Sequence, residues 1–166
     1  MTGQRRELGA VEYMPMDIGV RTKEMYLDEI TLLLGGIAAE LEVFGAFTDG
    51  AAGSDVADLN RATDIATAVE GGLGLGHTLV VEKLDVEHLA QVRLYSSELR
   101  RQVQHLLQGE LERARLIIQR QRPALDAIVE RLMHRFFLTG DELVETIRCN
   151  RRAVVSLAKP QSRAST

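Results

Sequence analysis

The sequence predicts a mainly α fold: four to five helices in a bundle, with a short β element near the N-terminus. Three observations point there. Apolar residues recur at i, i+3, i+4 spacing in several long stretches. Hydrophobic residues make up 45% of the chain, yet aromatics only 4% and Trp is absent, so the core is built from Leu, Ala, Val and Ile. Helix-starting and helix-ending residues also bracket the periodic stretches. At 166 residues the chain is long enough to enclose a real core as one domain with a tail. The expected division is an extended segment over 1–21, a helical domain over 22–150 and a basic, disordered tail over 151–166.

Leu8-Gly9-Ala10-Val11-Glu12-Tyr13-Met14-Pro15 lacks helical period and reads as extended, closed by Pro15 and Gly19. From Thr22 to Phe44, Ile30, Leu33, Leu34, Ile37, Leu41 and Phe44 form one helical stripe, with Thr22 as N-cap and Gly45 as terminator. Within it, Gly35-Gly36 costs roughly 1 kcal/mol per glycine relative to alanine. A close backbone neighbour would explain the pair. A loop with glycines at 45, 50 and 53 follows, then a helix from about Asp55 to Glu70, with Asp55 as N-cap and Asp58 in its first turn.

The run Gly71-Gly72-Leu73-Gly74-Leu75-Gly76 follows a helix and precedes none directly, so it reads as a helix exit rather than a phosphate cradle. Residues 77–95 read as a connection holding a short strand at Thr78 to Val81. Ser96 or Ser97 opens a long helix through Leu99, Val103, Leu106, Leu107, Leu111, Ala114 and Ile118. Pro123 starts another as a first-turn residue. Thr139-Gly140-Asp141-Glu142 is a capping box for the last.

Charge and cysteine usage narrow the function. A net charge of -4 argues against nucleic acid or an anionic membrane as partner. One cysteine, Cys149, excludes an internal disulfide and fits a reducing, cytoplasmic setting. No apolar run approaches the ~20 residues of a membrane helix. Catalytic zinc takes three protein ligands, and helical zinc peptidases supply two from His-Glu-x-x-His. That motif is absent. His88, His105 and His134 are followed four residues later by Val92, Gly109 and Leu138, and His77 lies in the glycine loop without an evident partner. No catalytic residue is assigned.

The block Leu34-Gly35-Gly36-Ile37-Ala38-Ala39-Glu40, then Phe44-Gly45, the glycine loop, and Asp58-Leu59-Asn60-Arg61-Ala62-Thr63 resembles the peptidase domain of the FtsH-like, AAA-type ATP-dependent zinc metalloproteases. The resemblance runs from about residue 8 to 147 and includes the turn Leu138 to Glu142. It implies that Asp58 corresponds to the third zinc ligand and that Glu40 supports the metal from behind its ligands. Without the resemblance, Asp58 reads as a first-turn acid favoured by the helix dipole. Glu40 then reads as an ordinary helix-surface acid. Ile37 and Leu41 stand where the family has arginine and glutamate, and the segment Met133 to Phe137 departs from the family's acidic character.

The functional expectation is a part of a zinc metalloendopeptidase domain, inactive by itself, with zinc bound only when histidines arrive from outside this chain. The resemblance further implies a homo-hexamer, an AAA ATPase module using ATP elsewhere, unfolded polypeptide substrates, and a membrane tether outside this sequence. The alternative is a non-catalytic relative that serves as a helical assembly or interaction module.

Overall fold

The structure is a computed structural model that describes residues 19–49, 57–82 and 86–157. Seven helices follow in order among these: α1 (Lys23–Leu33), α2 (Gly35–Phe44), α3 (Asp58–Gly71), α4 (Val86–Tyr95), α5 (Ser97–Arg120), α6 (Arg122–Arg135) and α7 (Gly140–Leu157). The mainly α class is as the sequence predicts, with more helices than expected. The expected N-terminal β element lies outside the described residues. The strand expected at Thr78 to Val81 is reduced to one antiparallel bridge, Leu73 to Val81.

The local signals explain most helix ends. The Thr22 hydroxyl accepts from the Met25 amide at 3.4 Å. Gly45 ends α2 in the left-handed region at φ 75°, where a Cβ would be strained. Ser96 Oγ accepts from the Leu99 amide at 3.2 Å and opens α5, a helix about 36 Å long. The Thr139–Glu142 box is reciprocal: the Glu142 amide donates to Thr139 Oγ1 at 3.3 Å, and the Thr139 amide donates to Glu142 Oε2 at 2.9 Å.

Three expectations are corrected. The stretch Thr22 to Phe44 is two helices, because the turn at Leu34 loosens the helix at the Gly35-Gly36 pair. The N-cap of α3 is Ala57, one residue before Asp58, while Asp55 lies outside the described residues. Residues 86–95 form α4 rather than a loop. Among its residues with described side chains, Leu89 alone is a well-buried apolar one, so the helix carries little periodic signal. It is held by Arg93, which donates to Asp64 Oδ1 at 3.1 Å and Thr67 Oγ1 at 2.7 Å on α3. Tertiary contacts outweigh propensity here. At the other end α7 continues past Asn150 to Leu157, into the segment expected as tail; 158–166 lie outside the described residues.

The core joins α1, α2, α3 and α5 through Ile30, Leu33, Leu34, Ile37, Ala62, Ala66, Leu99 and Val103. Two alanines at i and i+4 on α3 let its backbone come close to its neighbours. Lys23 meets Glu70 and Glu29 meets Arg61, each pair at 3.9 Å, so α1 and α3 run antiparallel. Polar ties cross to α5. Thr31 Oγ1 lies 2.6 Å from Glu110 Oε2, Arg113 bonds Asp28, and Arg115 Nε donates to Glu42 Oε1 at 2.7 Å.

At the far end of α3 the Glu70 side chain is 3% exposed. Its Oε2 lies 2.7 Å from His77 Nδ1, so His77 does have a partner, one the glycine-loop reading did not supply. A Cβ on Gly76 would stand 2.5 Å from Glu70 Oε2 and 2.6 Å from Glu70 Cα, a position that only glycine can fill. Gly109, by contrast, sits mid-helix in α5 with open space where a Cβ would be.

Two variants separate these cases in chemical denaturation. Gly76→Ala overpacks a backbone contact and is expected to lose about 2 kcal/mol or more. Gly109→Ala is expected to gain roughly 0.5–1 kcal/mol from helix propensity alone. The capping box supplies a pH test. The Thr139 amide, then Arg135 and the Thr139 hydroxyl, hold the Glu142 carboxyl below its ordinary range. A depressed carboxylate stabilises the fold above its unfolded value, about 4.3, and that contribution is lost as pH falls through the lower folded value. Amide protection factors in the first turn of α7, taken relative to the intrinsic exchange rate at each pH, should therefore fall below about pH 4, and Glu142→Gln should remove that dependence.

Candidate metal-ligand region

Asp58 is the first residue of α3. Its carboxylate belongs to the first turn, where the helix dipole favours negative charge. The side chain is exposed and makes no hydrogen bond or ion pair with a described residue. The antiparallel register puts this end of α3 toward the C-terminal end of α1, at the elbow where Leu34 leads into α2. On that elbow, a Cβ added to Gly35 or Gly36 would meet nothing within 4 Å. The paired glycines thus face open space rather than the close backbone neighbour their cost suggested.

Glu40 stands on α2 with its side chain half-buried. Its Oε2 accepts the Thr48 amide at 2.7 Å. The carboxylate therefore ties the chain leaving α2 back onto that helix. Ile37 is buried in the core and Leu41 packs against the same cluster. The two apolar replacements noted in the sequence are thus used in packing. Asp49, the other acid in this stretch, is exposed and engaged by another group, and Asp55 lies outside the described residues.

The donor set does not fit a complete zinc site. Zinc needs three or four N, S or O ligands within about 2.0–2.3 Å. Among the described residues no group of three His, Cys, Asp or Glu side chains could hold a metal ion. Asp58 offers one carboxylate. His77 is engaged with Glu70 at the opposite end of α3, roughly 20 Å away by helix rise. His105 and His134 are exposed on α5 and α6. The Glu70–His77 pair is the polar contact that the sequence did not disclose. Its signal was the i, i+7 spacing across a glycine run, which no helix or strand period marks.

The family model for Peptidase family M41 matches residues 2–146. The chain belongs to Peptidase family M41. It is 35% identical over 151 residues to the ATP-dependent zinc metalloprotease FtsH of Thermotoga maritima, covering 83% of this chain and 24% of that protein. The FtsH of Kosmotoga olearia is 34% identical over 84% of this chain and 23% of its own length. That of Rhodothermus marinus is 32% identical over 84% of this chain and 21% of its own length. This M41 chain thus spans about a quarter of the length of these relatives. No helix among its described residues is long and apolar enough to cross a membrane.

The Glu40 contact has a direct test. Glu40→Ala should speed hydrogen exchange at the Thr48 amide by at least about tenfold while leaving the α3 core amides unchanged. Equal exchange in both proteins would remove Glu40 from the loop.

Proposed function

We propose that this M41 chain forms the part of a zinc metalloendopeptidase domain that carries one metal ligand, Asp58, and that it is not competent alone. The observation that carries this reading is the Asp58 carboxylate. It opens α3, faces solvent without a described partner, and lies toward the C-terminal end of α1. A carboxylate placed there for the helix alone gains only about 0.3–1 kcal/mol. The family match, continuous across this region, favours a ligand role.

In this reading the histidine ligands come from polypeptide outside the sequence and approach over the open face of Gly35 and Gly36. Glu40 acts as a positioning residue, holding the chain that leaves α2 through the Thr48 amide. Zinc, when bound, would supply Lewis acidity for peptide-bond hydrolysis. The relatives are named as ATP-dependent zinc metalloproteases. By that kinship the complete protein would couple ATP hydrolysis in an AAA module to cleavage of unfolded polypeptides, as a hexamer on the cytoplasmic side of a membrane.

A second reading rests on Ile37 and Leu41. Both are drawn into the core cluster where the resembled family carries charge. That pattern favours a non-catalytic relative that keeps the scaffold as an assembly module.

Both readings expect the 166-residue chain to leave casein intact and to lose zinc on dialysis; chelator-sensitive casein cleavage would refute them. Adding a His-Glu-x-x-His segment of a relative in trans separates the two. The peptidase reading expects stoichiometric zinc by metal analysis, weakened at least about tenfold in Asp58→Ala. The scaffold reading expects no retained metal in either protein. Equal retention with and without the Asp58 carboxylate would end its assignment as a ligand.

A further inference from the structure

The glycine loop after α3 is pinned at several points. The Glu82 amide donates to the Gly72 carbonyl at 3.1 Å, beside the Leu73–Val81 bridge. Gly74, at φ 66°, lets the Leu79 carbonyl come within 3.1 Å of where a Cβ would stand. His77 holds the buried Glu70, and Gly76 leaves the room this needs. Yet the residues so held, Leu79, Val80 and Val81, are 91%, 58% and 70% exposed. Fold stability gains nothing from three consecutive apolar side chains in water.

The bridge also sets where the backbone points. In an antiparallel ladder, the residues flanking a non-hydrogen-bonded pair exchange the bonds. The Glu82-to-Gly72 bond makes Leu73 and Val81 such a pair. The N–H and C=O of Val81 therefore face away from Leu73, along the outer edge, and take no partner among the described residues. Thr78 Oγ1 already accepts the Val80 amide at 3.1 Å, so Val81 holds the open donor. Exposed edges are ordinarily blunted, often by lysine or proline. Neither stands between Thr78 and Glu82.

We propose that this edge is a docking strand, and that its occupant is an extended segment of a polypeptide substrate, paired to Val81 by main-chain hydrogen bonds. The choice of occupant rests on the peptidase reading. The chemistry of the edge agrees with it: an open donor and acceptor flanked by branched apolar side chains match a backbone in the β conformation. Residues 72–82 carry one acid, Glu82, and no Lys or Arg, so they offer nothing to a phosphate backbone or an anionic bilayer. Position agrees as well. The edge stands at the C-terminal end of α3, and Asp58 opens the other end, about 20 Å away by helix rise. At about 3.3 Å per residue, roughly six residues of extended chain span that distance. A substrate paired at Val81 is thus held straight along α3, toward the candidate ligand.

Amide exchange of the 166-residue chain by NMR tests this, with reduced, carboxymethylated lysozyme as the unfolded polypeptide. At saturation it should protect the Val81 amide at least about tenfold. The Leu73 amide, bonded to the Ala68 carbonyl at 2.8 Å, reports an intact loop. Val81→Pro removes the outward N–H and no described bond. It should weaken binding at least about tenfold, read by fluorescence anisotropy of the labelled polypeptide. Val80→Lys, which blunts the edge by charge and leaves the backbone intact, should do the same. Asp58→Ala should bind like the wild type, so a failed ligand assignment and a failed edge are separate results. Unchanged exchange at Val81, wild-type affinity in both edge variants, or Val81 protection that rises with the concentration of the chain alone would each overturn the proposal.

Discussion

The close contact of α3 with α1 and α5 is the constraint on which the rest of this fold depends. Ala62 and Ala66 let the helices approach, and Ile30, Leu34, Leu99 and Val103 fill the remaining volume. Swapping those alanines for larger residues would push three helices apart at once, because interiors are packed too tightly to absorb extra methylenes. The contact also fixes orientation. One end of α3 is placed at the α1–α2 elbow and the other at the glycine loop, so a single packing decision locates both Asp58 and Glu70.

The two ends of α3 use acids in opposite ways. Glu70 is buried, and a buried carboxylate requires partners. His77 and Lys23 supply them, and Gly76 makes room for the loop to reach. That acid serves the fold. Asp58 is exposed at the dipole-favoured end, and the fold does not require its carboxylate there. The contrast is why the proposed ligand role falls on the second acid and not the first. It also shows why an isolated carboxylate does not amount to a metal site, which needs at least three donors.

The α6–α7 hairpin follows a different logic. Its own ion pairs and capping box define it locally, with few ties to the body. Val129, Leu132, Met133 and Phe136 leave one face of α6 apolar where surfaces are ordinarily polar.

The sequence by itself determined the helical class, the caps at Thr22, Gly45, Ser96 and Thr139, the first-turn proline of α6 at Pro123, and the family. These are local or periodic signals, carried by residues a few positions apart. It also singled out Asp58 and Glu40, but through resemblance, since a lone acid on a helix has no spacing to read. Only the tertiary structure decided the break at Leu34, the existence of α4, the partner of His77, the loop contact of Glu40 and the open space over Gly35 and Gly36. Each of these depends on what lies across the chain from a residue. That is set by packing and by burial of polar groups, and neither leaves a period in the sequence.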